Sequence, residues 1–153
     1  MSKEIIVNVD TRESRVALIE SGKLVELHIE VKEAVARIPA DRRKIITSHD
    51  AFAYFQNAYG VKFIAPQGVS TESEASAKDV ARIVQQIKRE KIKAIFIENI
   101  ADPRLMERIA KETGAKIGDR LYSDALSPPD GPAGTYIDMM RHNIKALSMA
   151  LSS

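Results

Sequence analysis

The 153-residue sequence contains no cysteine and no tryptophan, only three histidines, and aromatic residues at 5 %. Without cysteine there are no disulfides and no thiolate metal sites, so any bound metal must be held by His, Asp, Glu and water. No apolar run approaches the roughly 18 residues of a membrane-spanning helix, which argues against a membrane partner. The opening stretch Met1-Ser-Lys-Glu-Ile-Ile-Val-Asn-Val9 has neither the apolar segment nor the cleavage site of an export signal, so a cytoplasmic location is expected. A net charge of +2 gives no electrostatic reason to expect nucleic acid. Phosphate-cradling glycine loops are absent. Ser48, His49 and Asp50 are adjacent in sequence, whereas a catalytic triad converges from separate elements, so no enzyme is expected.

What is present is an ordinary globular composition, 44 % hydrophobic and 29 % charged, in a chain long enough to bury roughly 70 % of its unfolded surface. The organising stretch is Lys44-Ile-Ile-Thr-Ser-His49-Asp-Ala-Phe-Ala-Tyr-Phe55. It reads as a buried strand over 44–48, with Ser48 as N-cap of a helix over 50–59 that closes at Gly60. His49 then stands at the carboxyl end of a strand, the edge where ligands bind in open α/β sheets.

Residues 4–31 alternate apolar and polar as strands do, with turn signals at Asp10-Thr-Arg-Glu-Ser14 and Ser21-Gly22, and predict an antiparallel meander. From about residue 32 strands and helices alternate. A short helix over 31–38 stops before Pro39, and a strand over 61–65 stops at Pro66. Ser76, three residues before Asp79, caps a helix to about 91 with Val80, Ile83, Val84 and Ile87 on its buried stripe. The nearly continuous apolar run over 93–98 reads as a strand buried on both faces. Asp102-Pro103 opens a helix that Gly114 closes, a strand covers 116–123, and a last helix runs from about 135 to 151. The expected fold class is α/β: a three-stranded antiparallel meander over 1–30 joined to a four-stranded parallel sheet, with helices on both faces, over 31–153.

Several motifs carry a resemblance over residues 32–152. They are Ile38-Pro-Ala-Asp-Arg-Arg-Lys44, Thr47-Ser-His-Asp-Ala-Phe-Ala-Tyr-Phe55, Tyr59-Gly60, Gly68 with the loop over 73–76, Ile95-Phe-Ile-Glu98, Leu121-Tyr-Ser-Asp124-Ala-Leu and Gly134-Thr-Tyr-Ile-Asp-Met-Met-Arg-His-Asn143. Together they resemble the C-terminal lobe of the periplasmic or lipid-anchored solute-binding proteins of zinc and manganese ABC transporters. The resemblance implies that metal lies between two lobes, with His49 and Asp124 as this lobe's ligands for zinc or manganese. Glu98, between them in the implied strand order, is available as a third oxygen donor or as a partner behind the histidine. Two protein ligands plus water make a weak site. The bland alternative is that His49 and Asp124 only cap the helix and loop that follow them.

The other candidates read as structural. His28 alternates with Glu26 and Glu30 on a solvated strand face, and His142 takes a surface position on the last helix. Met139, Met140 and Met149 pack in the core, and Asp10 forms a turn. The Lys88-Arg-Glu-Lys91 end with Lys93 complements a helix dipole.

The segments Glu4-Ile-Ile-Val-Asn-Val-Asp10 and Ser14-Arg-Val-Ala-Leu-Ile-Glu-Ser-Gly-Lys-Leu-Val-Glu-Leu-His-Ile-Glu30 resemble instead the first strands of the ribonuclease E/G family. They bring none of that family's catalytic carboxylates. Three readings follow: a divalent-metal module from which transport is not expected, a hybrid fold with no activity, and an RNA-related protein. An uncovered parallel edge and a short linker near residues 31–33 leave room for a homodimer through strands, and the meander is expected to extend one edge of the parallel sheet.

Overall fold

The computed structural model describes residues 3–9, 14–20, 23–24, 27–66 and 75–152, with the main chain alone before residue 30. The expectations for Asp10, the Ser21-Gly22 turn, Glu26, the His28 side chain and the loop over 67–74 fall outside what is described.

Three strands open the chain: β1 (Lys3–Val9), β2 (Ser14–Glu20) and β3 (Lys23–Leu24). They pair antiparallel in the order β1-β2-β3, with Glu20 opposite Lys23. This sheet is separate from the parallel one, so the meander does not extend an edge of it.

The third strand is shorter than its alternation predicts, because helix α1 (Leu27–Ala36) begins four residues before the expected 31. His28 and Glu30 therefore belong to a helix, not to a strand face. The stretch satisfies both periods, and packing decides between them. Val31, Val35 and Ile38 recur on one helical stripe and are fully or almost fully buried. Arg141 holds Glu30 through two bonds of 2.9 and 2.7 Å.

After a 3₁₀ turn (Ala40–Arg42), β4 (Lys44–Ile46), α2 (Ala53–Tyr59), β5 (Lys62–Ile64), α3 (Ala77–Glu90), β6 (Ala94–Ile95), α4 (Arg104–Thr113), β7 (Lys116–Ile117) and α5 (Tyr136–Leu151) follow. The parallel sheet has the order β5-β4-β6-β7. Ile45, Ala94 and Phe96 face a core shared with α1, α2 and α5, whereas Ile46 and Ile95 face one shared with α3 and α4. That alternation puts helices on both faces.

The expected N-cap of α3 and the glycine end of α4 hold, whereas α4 starts at Arg104 with Pro103 at the cap position instead of the first helical one. Ser76 Oγ accepts the Asp79 N–H, and Gly114 closes α4 at φ 74°. Two other details differ from expectation. Met149 is 60 % exposed on α5 instead of packing in the core. Ser48 is not the cap of α2, which starts at Ala53 after Phe52. The Thr47 hydroxyl and the Ala51 N–H both donate to the His49 carbonyl, and this turn delays the helix.

Pairing between the last two strands breaks and then resumes. Ile95 faces Ile117, but the next bridge is Glu98 to Leu121, so β7's chain carries one extra residue. Phe96, fully buried, fills the space beneath this bulge. A Cβ on Gly118 would sit 2.9 Å from both Cδ1 and Cζ of that ring. Gly118→Ala is therefore expected to destabilise the fold by about 1–3 kcal/mol through overpacking. The denaturation midpoint measures it, and Phe96→Leu in the same chain should recover part of the loss.

Candidate metal centre

The strand order reverses direction between β4 and β6. The chain leaves β4 towards β5 on one side and leaves β6 towards β7 on the other, with α2 and α4 on opposite faces. The loops beyond β4 and β6 thus part company at the carboxyl edge, the place where open α/β sheets bind ligands. His49 lies in the first of these loops and Glu98 at the end of the second.

Both are inaccessible, with side-chain exposures of 1 % for His49 and 0 % for Glu98. The His49 N–H donates to Glu98 Oε1 at 3.0 Å, and its ring Nδ1 lies 2.6 Å from Oε2 without the alignment of a good hydrogen bond. The Glu98 N–H reaches the Ser48 hydroxyl at 3.5 Å. The Ser123 hydroxyl lies beside the carboxylate, also poorly aligned. Burial pushes the Glu98 carboxyl above its ordinary value, against the opposing pull of His49, Ser123 and Ser48.

The other ring nitrogen points outward. Nε2 of His49 stands 3.1 Å from Oδ2 of Asp124, whose side chain is 61 % exposed. Sequence reasoning brought these two residues to one edge, and they meet there. Glu98 lies across the imidazole from Asp124 and does not reach the rim. Among the described residues no group of three or more His, Cys, Asp or Glu side chains converges to enclose an ion. His142 is half-buried on α5, bonded through Nε2 to the Arg120 carbonyl at 2.8 Å and edge-on to Tyr122, away from this rim.

Two asparagines that sequence reasoning left without a role hold the segment bearing Asp124. Asn143, 4 % exposed on α5, accepts the Tyr122 N–H at 3.0 Å and donates to the Tyr122 carbonyl at 2.7 Å. Asn99 accepts the Ser123 N–H at 3.3 Å and donates to the Ala125 carbonyl at 3.0 Å. The signal for Asn143 was in the sequence: with Met139 and Leu147 it forms an i, i+4, i+8 row on the buried stripe of α5, and a buried carboxamide must find partners.

An α/β lobe with a histidine and a carboxylate at its switch-point rim belongs to the class of ligand-binding lobes. The family model described as zinc-uptake complex component A, periplasmic, matches residues 17–150, and the chain belongs to that family. The match reaches back through β2, β3 and α1, well before the boundary expected near residue 31.

Manganese-binding lipoprotein MntA of Bacillus subtilis is 40 % identical over 125 residues, covering 78 % of this chain and 41 % of the relative. Zinc-binding protein TroA of Treponema pallidum is 38 % identical over 135 residues, 85 % of this chain and 44 % of the relative. The solved structure of the latter superposes with a TM-score of 0.80, covering 84 % of this chain and 48 % of that one. A manganese-bound periplasmic metal-binding protein of Candidatus Liberibacter asiaticus, 29 % identical, gives 0.76 over 82 % of this chain and 47 % of the other. The chain thus spans less than half the length of the curated relatives it matches. These are binding proteins, not enzymes.

Removing Asn143 leaves the main-chain groups of Tyr122 without partners in a poorly solvated place. Asn143→Ala is expected to destabilise the fold by about 1–3 kcal/mol, read as a lower urea midpoint at unchanged slope.

Proposed function

We propose that this chain binds a divalent metal ion, zinc or manganese, through His49 Nε2 and the Asp124 carboxylate, with Glu98 holding the ring from behind. The observation that carries this is the approach of Nε2 and Oδ2 to 3.1 Å at the switch-point edge, together with a buried carboxylate 2.6 Å from Nδ1. A ligating imidazole works best when its other nitrogen keeps a proton and gives it to a carboxylate, which fixes the ring and raises its basicity. Glu98 stands where that partner is needed. Zinc takes imidazole nitrogen and carboxylate oxygen at about 2.0–2.2 Å, so one ion can touch both donors at their observed separation.

Two protein donors give modest affinity, with water filling the remaining positions. The metal is cargo here, not a reagent, and the chain's residues bind and orient it without transforming it. A metal ion as cargo is supported by relatives such as the metal ABC transporter substrate-binding lipoprotein SloC of Streptococcus mutans.

A second reading, a hybrid fold whose first strands come from a ribonuclease E/G-like source, draws support from the separate sheet β1-β2-β3. The family match begins at residue 17, inside the 1–30 stretch that carries this resemblance, and takes in β3 and part of β2. The second reading predicts cooperative melting indifferent to metal.

Thermal unfolding of metal-stripped protein separates the two. Zinc at a hundred times its dissociation constant adds about 2.7 kcal/mol to the folded state, so Tm should rise by several degrees in the wild type. The rise should vanish in His49→Ala and in Asp124→Asn, the second being an exposed change that leaves the core alone. No rise in the wild type removes the metal-binding reading.

A further inference from the structure

Beyond residue 121 the strand ladder ends, yet the segment carrying Asp124 is not left to solvent. Leu121 is the last residue bonded as a strand: its N–H donates to the Ile97 carbonyl at 3.0 Å and its carbonyl accepts the Asn99 N–H at 2.9 Å. The next main-chain groups are taken over by side-chain amides. Asn143 takes both polar groups of Tyr122. Asn99 takes the groups on either side of Asp124, the Ser123 N–H before it and the Ala125 carbonyl after it.

A carboxamide carries an acceptor and donors together, so Asn99 bridges the Ser123 N–H and the Ala125 carbonyl and spans Asp124 from one side to the other. The carboxylate itself makes no part of this clamp. It is 61 % exposed, and its Oδ2 faces the His49 ring.

Glu98 and Asn99 are consecutive, and each braces a different donor. Glu98 grips His49 at its main-chain N–H and lies against its ring. Asn99 grips the main chain on both sides of Asp124, at the Ser123 N–H and the Ala125 carbonyl. We propose that Asn99 is a positioning residue for the metal site, bracketing Asp124 so that its carboxylate is already placed against His49 Nε2 before an ion arrives. The proposal rests on the metal-binding reading above and assigns a further residue to it. Its physical content is preorganisation: a carboxylate on a loosened loop must be ordered on binding, and that ordering weakens affinity.

The test is zinc affinity, measured by competition with a chromophoric chelator, alongside metal-free Tm and site-resolved amide exchange. In Asn99→Ala the dissociation constant should rise about 10–100-fold, the range found when a partner of a ligand is removed. Metal-free Tm should stay within a degree or two. The Ser123 amide should exchange faster while Tyr122, still held by Asn143, keeps its protection. Asn99→Ser, too short to span from residue 123 to 125, should behave the same way and serves if the alanine variant folds poorly.

Unchanged zinc affinity with a faster Ser123 amide would overturn the proposal. So would an affinity loss accompanied by a lower Tm and faster exchange throughout the lobe, which is general destabilisation. A wild type that binds no zinc is a different result, visible before any variant is compared, and it removes the metal-binding reading itself.

Discussion

A glutamate buried to 0 % exposure against an equally buried histidine is the constraint around which this lobe is arranged. A lone carboxylate in that position would be costly, and the shift of Glu98 towards its neutral form shows the pressure. The fold relieves it with the main-chain N–H groups of His49 and Ser48, the imidazole and the nearby Ser123 hydroxyl. The carboxylate lies against Nδ1 of the ring, and Nε2 is left facing Asp124. The interaction that satisfies a buried charge therefore also decides which histidine atom is presented outward.

Holding Glu98 there requires the strand beneath it to be in register with both neighbours. Phe96, two residues earlier, is fully enclosed, and its ring takes the volume that a side chain at position 118 would need. One extra residue in β7's chain then brings Leu121 opposite Glu98 and sets the course of the next three residues. Core packing on one face of the sheet is thus connected, through register, to the placement of Asp124 at its edge.

Much of this could be read from residue order. The switch from a period of two to alternating elements foretold the parallel sheet. Ser76 with Asp79 and the glycine at 114 foretold helix ends that depend only on local hydrogen bonds and backbone conformation. His49 could be placed at a strand end from residue order, but its pairing with Asp124 came from the family resemblance and the strand order it implies, and the strand expected over 116–123 is regular only at Lys116–Ile117. The features that escaped depend on contacts distant in sequence. The start of α1 is decided by packing of Val31 and Val35 in the core shared with α5, which an ambiguous alternation could not foretell. Ser48 looks like a cap until the turn made by Thr47 and Ala51 displaces the helix. Asn99 and Asn143 act on main-chain groups 21 to 26 residues away, and only Asn143's place in an apolar stripe hinted at it.

The central claim is that Glu98 holds the His49 ring by Nδ1 and leaves Nε2 for the rim. Nitrogen-15 spectra of the His49 ring during a zinc titration test it most directly. The account predicts that the Nε2 resonance moves to the position of a metal-bound nitrogen while Nδ1 keeps its proton. A metal-bound Nδ1 with a protonated Nε2 would contradict it.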